Sequence, residues 1–127
     1  MLKKIFFFLA LFWTGIITVL CLIKSSDVPK INIQNLDKVV HAFFHFVFTS
    51  LWFLFLRKQF RNTRILKLLI TSLLFSLFFG ISIEILQELC TTTRHADVFD
   101  VLANLFGAVM AVIAIMMFSK YNKFVKI

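Results

Sequence analysis

The chain is built from long apolar runs separated by short polar joints, and the runs cover residues 5–23, 39–56, 66–90 and 98–118. Each is long enough to cross a hydrocarbon core of about 30 Å as a helix of roughly 20 residues. The pattern predicts an all-α, polytopic integral membrane protein with four transmembrane helices, residues 1–127 forming one domain. Polar residues interrupt the last three runs in a regular way. In "LDKVVHAFFHF" they are Lys38, His41 and His45, in "GISIEILQELC" Glu84, Gln87 and Glu88, and in "ADVFDVLANLFG" Asp97, Asp100 and Asn104. The steps are three and four residues in the first and last sets, and Gln87 and Glu88 lie three and four beyond Glu84, which places the side chains on one helix face.

Composition agrees with a bilayer as the solvent. Hydrophobic residues make up 61% of the chain, Phe alone accounts for 18 positions, and three Gly and one Pro leave little to break a helix. A soluble domain of this length could not bury so much apolar surface. The first run, after "MLKK", has the outline of a signal peptide, but it is too long for a signal core and no small-x-small cleavage site closes it. "TVLC" also lacks the small residue expected ahead of a lipoprotein cysteine, so a retained span is expected.

The net charge of +8 would suit nucleic acid if it were gathered on a soluble face, and it is not. Lys3 and Lys4, then Arg57, Lys58, Arg61, Arg64 and Lys67, then Lys120, Lys123 and Lys126, fall at alternate ends of the spans. The other two joints hold only Lys24, Lys30, Lys38 and Arg94. A nucleic-acid partner is therefore excluded. By the positive-inside rule both termini and the 57–67 joint are expected in the cytoplasm. The acids Asp27, Asp37, Glu84, Glu88, Asp97 and Asp100 then all lie on or toward the outside.

Helical rise gives a depth. Glu84 is six residues below Cys90, Asn104 seven beyond Asp97 and His45 seven beyond Lys38, so each lies about 9–10 Å inside its helix end. A charge at the bilayer centre costs about 2.5–3.5 kcal/mol on insertion scales, which drives the polar faces toward one another and predicts an outward-facing pocket within the bundle. Structural alternatives stand beside this. Asp97 and Asp37 can cap helices, Asp100 suits a first turn, and His41, His45 and Asn104 can form plain interhelical hydrogen bonds. Ala103, Gly107 and Ala111 read as a packing stripe. Cys21 and Cys90 lie at outer helix ends, where either a disulfide or two buried thiols would be consistent with the sequence. No zinc-finger spacing, phosphate loop, nucleophile elbow or His-Glu-x-x-His motif is present.

The same residues carry a resemblance. "DKVVHAFFHF" followed by "GISIEILQELCTTTRHADVFDVLANLFGAV" resembles the VanZ-like proteins, small bacterial membrane proteins named for a member linked to teicoplanin resistance. The matching positions are Asp37, Lys38, His41, Glu84, Gln87, Arg94, Asp100, Asn104 and Gly107. His45 stands where an aromatic residue is common in that family, and "CTTT" replaces a loop that often contains Pro. The resemblance implies a multi-pass protein of the bacterial cytoplasmic membrane with an effect on lipoglycopeptide susceptibility. It supplies no reaction.

Three readings of the site follow. In the first, a pocket of Asp37, Lys38, His41, Glu84, Gln87, Glu88, Arg94, Asp97, Asp100 and Asn104 binds an amphiphile, such as a lipid-linked cell-wall intermediate or a lipoglycopeptide. Lys38, Arg94 and the outward N-termini of spans two and four would then hold an anionic group against the repulsion of the carboxylates. In the second, the pocket is an enzyme site for a lipid-linked substrate. Either a divalent metal is held by residues among His41, Glu84, Glu88, Asp97, Asp100 and Asn104, or His41 and Glu84 act as an acid–base pair. In the third, the polar network only holds helices together. A transport path is not expected, because the polar faces stop halfway. The sequence names neither the ligand nor an oligomeric state.

Overall fold

Each apolar run forms one helix, and the helices reach beyond the runs. The computed structural model describes residues 1–23, 35–93 and 95–121. Its helices are α1 (Leu2–Leu22), α2 (Leu36–Gln59), α3 (Ile65–Cys90) and α4 (Val98–Tyr121), all long and apolar enough to cross a membrane. The chain is thus all-helical with four candidate spans. α2 starts earlier than its apolar run because Asp37 occupies its first turn, where a carboxylate faces the positive end of the helix dipole. Asp37 is therefore not the cap that the sequence suggested. Asn35 takes that place with φ of 60°, a left-handed conformation that Asn tolerates. At the other ends, Arg57 and Lys58 join the last turn of α2 and Lys120 that of α4, where cations meet the negative end of the dipole.

α2 is the central helix; it packs on the other three, most extensively on α4. Close approach of those two depends on Gly107, where a Cβ would sit 1.9 Å from the carbonyl oxygen of Ala42. Ala108 and Ala111 continue the contact, fully buried, whereas Ala103 is only half-buried. The α1–α2 contact is held differently. Trp13 Nε1 donates to the Phe44 carbonyl at 2.9 Å and Trp52 Nε1 to Thr14 Oγ1 at 3.3 Å. Behind these, Ile17, Cys21, Phe48 and Ile83 form one buried cluster, with the Phe48 and Phe79 rings stacked 4.7 Å apart.

A second cluster of Phe53, Leu68 and Leu69 lies toward the α2–α3 joint. There the buried Arg57 closes the turn, its Nη1 donating to the carbonyls of Arg61 and Thr63, both at 3.1 Å. Large apolar side chains such as Phe8, Phe12, Phe78, Phe106 and Phe118 point outward. In lipid such surface gives no driving force for association, so the bundle relies on close backbone contact and interhelical hydrogen bonds of the kinds just described. The two cysteines are not joined: Cys21 is a buried thiol and Cys90 an exposed one.

Candidate functional site

The start of α2, the end of α3 and the start of α4 come together at the end of the bundle opposite the α2–α3 joint. Asp97 directly precedes α4, and its Oδ1 accepts from Phe99 N–H at 2.8 Å, so the expected capping role is present. Its other oxygen accepts from Lys38 Nζ at 2.8 Å. One carboxylate thus caps α4 and ties it to α2. Lys38 also donates to Asp100 Oδ1 and lies 3.5 Å from Asp37 Oδ2. The Lys38 ammonium, reinforced by the Phe99 N–H, holds the Asp97 carboxyl below the ordinary carboxylate range.

Deeper in, His41 Nδ1 meets Asn104 Oδ1 at 3.1 Å, both residues buried. An amide oxygen only accepts, so in this arrangement Nδ1 carries a proton and donates to Asn104. Nε2 lies 3.6 Å from Asp37 Oδ1 and 3.7 Å from Asp100 Oδ2. The two aspartates therefore turn one oxygen each to Lys38 and the other to His41. Glu84 closes the cluster from α3. It is 4% exposed, its Oε2 accepts from Asp97 N–H at 3.0 Å, and its Oε1 has no hydrogen-bond partner among the described residues.

Not every expected residue joins. Gln87 turns to α1, its Nε2 donating to the Cys21 carbonyl at 2.7 Å, and so fixes the α1–α3 contact. Glu88 is exposed; its Oε2 accepts from Ala96 N–H at 2.8 Å and lies 3.6 Å from His95 Nδ1, which orders the α3–α4 connection. Arg94 lies outside the described residues. His45 is buried against α3, with Nδ1 2.7 Å from Ser76 Oγ and its ring beside Phe48 and Phe79. Sequence reasoning passed over Ser76, and also Thr49, fully buried with no partner for its hydroxyl among the described residues. It also passed over Gly80, where a Cβ would lie 2.9 Å from Asn104 Nδ2 and 3.1 Å from His45 Cε1. Serine and threonine within a span look like ordinary helix-tolerant residues, and only the neighbouring helix reveals the partner.

Chemically the cluster is acidic. Asp37, Asp97 and Asp100 surround one ammonium, which donates to the last two, and Glu84 joins them through the Asp97 N–H. An anionic group presented to Lys38 would have to displace those carboxylates, so the anion-holding role expected of Lys38 does not fit this arrangement. A cation fits better. One ligand atom each from Asp37, His41 and Asp100 lie within 4.8 Å of one another, a donor set suited to a divalent ion. Asn104, bonded to the other imidazole nitrogen, is the kind of partner that orients a ligating histidine.

The comparison with known families is decisive for kinship. A family model described as VanZ/LLP1 matches residues 3–119. The chain belongs to the VanZ/LLP1 family. No curated protein and no solved structure matches it. Within this VanZ/LLP1 chain the residues that carried the resemblance divide by task. Asp37, Lys38, His41, Glu84, Asp100 and Asn104 form the polar cluster, while Gln87 and Gly107 bring helices together.

Proposed function

We propose that this VanZ/LLP1 protein sits in the bacterial cytoplasmic membrane with both termini inside, and that its polar cluster opens to the outer leaflet. There it takes the polar headgroup of an amphiphile, a lipid-linked cell-wall intermediate or a lipoglycopeptide, and so alters teicoplanin-type susceptibility. The observation that carries this reading is the gathering of Asp37, Asp97 and Asp100 on Lys38, two of them also facing His41, with Glu84 joined through the Asp97 N–H, at one end of three helices. An interhelical clasp needs two or three such groups. The surplus of acid selects a headgroup rich in ammonium or hydroxyl donors, or a phosphorylated one accompanied by a divalent cation.

Orientation is checked by labelling. In a background without Cys21 and Cys90, cysteines introduced at Asn62 and Thr92 are tested with an impermeant thiol reagent on whole cells. Only the Thr92 position should react, and reaction at Asn62 alone would turn the cluster to the cytoplasm.

A second reading, a membrane-embedded and metal-dependent enzyme acting on a lipid-linked substrate, is favoured by one observation, the Asp37, His41 and Asp100 donor set. In that case the ion would be held by those three residues and would activate water or clamp a phosphoryl group, and Glu84 is the nearby carboxyl placed to exchange a proton. Purification in detergent, followed by lipid and metal analysis, separates the readings. Binding without chemistry predicts a co-purifying amphiphile that is lost in Glu84→Gln, with any divalent metal present only when the amphiphile is. The enzyme reading predicts one metal per chain, lost in Asp100→Asn. A purified protein with neither lipid nor metal would contradict both.

A further inference from the structure

At the opposite end of the bundle a cleft of about 910 Å³ lies between the start of α1 and the α2–α3 joint, with Lys3, Lys58, Phe60, Arg61, Asn62 and Thr63 in its wall. Among the described residues no Asp or Glu lines it. The described acids, Asp37, Glu84, Glu88, Asp97 and Asp100, lie at the other end of the bundle. Both helices that begin at this end, α1 and α3, have no acid in the first turn and no side-chain cap. Lys3 and Arg61 therefore stand in this cleft beside the N-terminus of α1, with no Asp or Glu among the described residues of its wall.

A smaller cavity of about 230 Å³ adjoins the cleft through the shared residues Phe60 and Thr63 and runs along Leu56, Leu68 and Thr71, with Lys67 at its side. Leu68 and Thr71 are three and six residues into α3, about 5–9 Å from its start at Ile65. An apolar groove along α3 thus borders the polar cleft.

We propose that the two cavities together form a binding site for an anionic glycerophospholipid, its phosphate held by Lys3 and Arg61 and its first chain carbons lying against Leu56 and Leu68. This goes beyond the amphiphile site, from which it is separated by the length of the bundle, and it does not depend on that reading. Basic recesses between spans, on the side rich in Lys and Arg, suit such headgroups, and each basic residue near the surface contributes about 1 kcal/mol to anionic-lipid attraction.

The test uses the full chain in neutral detergent, titrated with phosphatidylglycerol, phosphatidylcholine or inorganic phosphate, with native mass spectrometry reading the bound fraction. One phosphatidylglycerol should bind in preference to phosphatidylcholine. Lys3→Gln with Arg61→Gln should weaken it by about fivefold for each charge removed. The pair Lys4→Gln with Lys120→Gln, which removes the same charge from exposed positions outside the cleft, should leave it unchanged. Raised salt should loosen the lipid on unmodified protein, a readout that does not depend on any variant folding. Equal retention of the two lipids, or equal loss in both double variants, would overturn the proposal. So would displacement of the lipid by inorganic phosphate at the lipid's own concentration, which would mark a site for the free anion.

Discussion

Gly107→Ala is expected to destabilise the bundle by about 3 kcal/mol or more, at the upper end of what overpacking costs. The reason is what the new methyl meets. Its Cβ would lie 1.9 Å from the Ala42 carbonyl oxygen and 2.6 Å from the carbonyl carbon, and backbone cannot swing aside as a flexible side chain can. α4 would have to move off α2, taking Asn104 and Asp100 away from His41 and Lys38. Gly15→Ala is the matched control. A Cβ there meets nothing within 4 Å, so the exchange should be neutral or should stabilise α1 by about 0.5–1 kcal/mol, the usual gain on replacing a helical glycine. Unfolding in detergent, with membrane abundance measured beside it, checks both. A Gly107→Ala protein as stable as the parent would mean that the α2–α4 approach is looser than described.

Lys38→Met should be the second most damaging change, by about 2–3 kcal/mol. Removing one partner of a buried ion pair costs about 3–5 kcal/mol, and the value is reduced here because the Lys38 side chain is 32% exposed. What is left behind is Asp100, only 9% exposed in its side chain, with Asp97 and Asp37 beside it and no ammonium among them. Lys38→Met with Asp100→Asn should recover part of the loss, because the uncompensated buried charge is then gone. A pH signature accompanies this. The folded-state pKa of Asp97 is depressed, so its contribution to stability is complete above the ordinary carboxylate value of about 3.9 and is lost as pH falls through the folded value. In Lys38→Met that acid limb should flatten. Equal acid sensitivity in both proteins would show that Lys38 does not hold the Asp97 carboxyl.

Much of this arrangement was legible in the sequence, and the part that was not has a geometric cause. The spans were visible as apolar runs, because a bilayer demands roughly 20 consecutive apolar residues and these runs supply them. Their ends were not, since Asp37, Arg57 and Lys120 belong to helix termini that the apolar pattern excludes. Three-and-four spacing brought Lys38 and His41 correctly toward Asp100 and Asn104. It misplaced Gln87 because a step of three residues turns the side chain about 60° back around the helix and a step of four about 40° forward. Residues read as one face can therefore address two neighbours, and with α1 standing beside α3, Gln87 meets the Cys21 carbonyl and not the cluster. His45 differs from His41 in the same way, since one faces Ser76 of α3 and the other Asn104 of α4. Spacing alone also gave no sign that Lys38 would be neutralised from within.

Whether the acidic cluster is a working site or scaffolding is decided by charge removal without change of shape. Susceptibility to a teicoplanin-type lipoglycopeptide is measured in a host expressing the parent chain, Glu84→Gln or Asp100→Asn, with the membrane abundance of each quantified in the same cells. A binding or catalytic role predicts that the parent changes susceptibility and that both variants lose the effect while remaining at normal abundance. Full effect retained by both variants at unchanged abundance, or an effect that falls only in step with abundance, would contradict it.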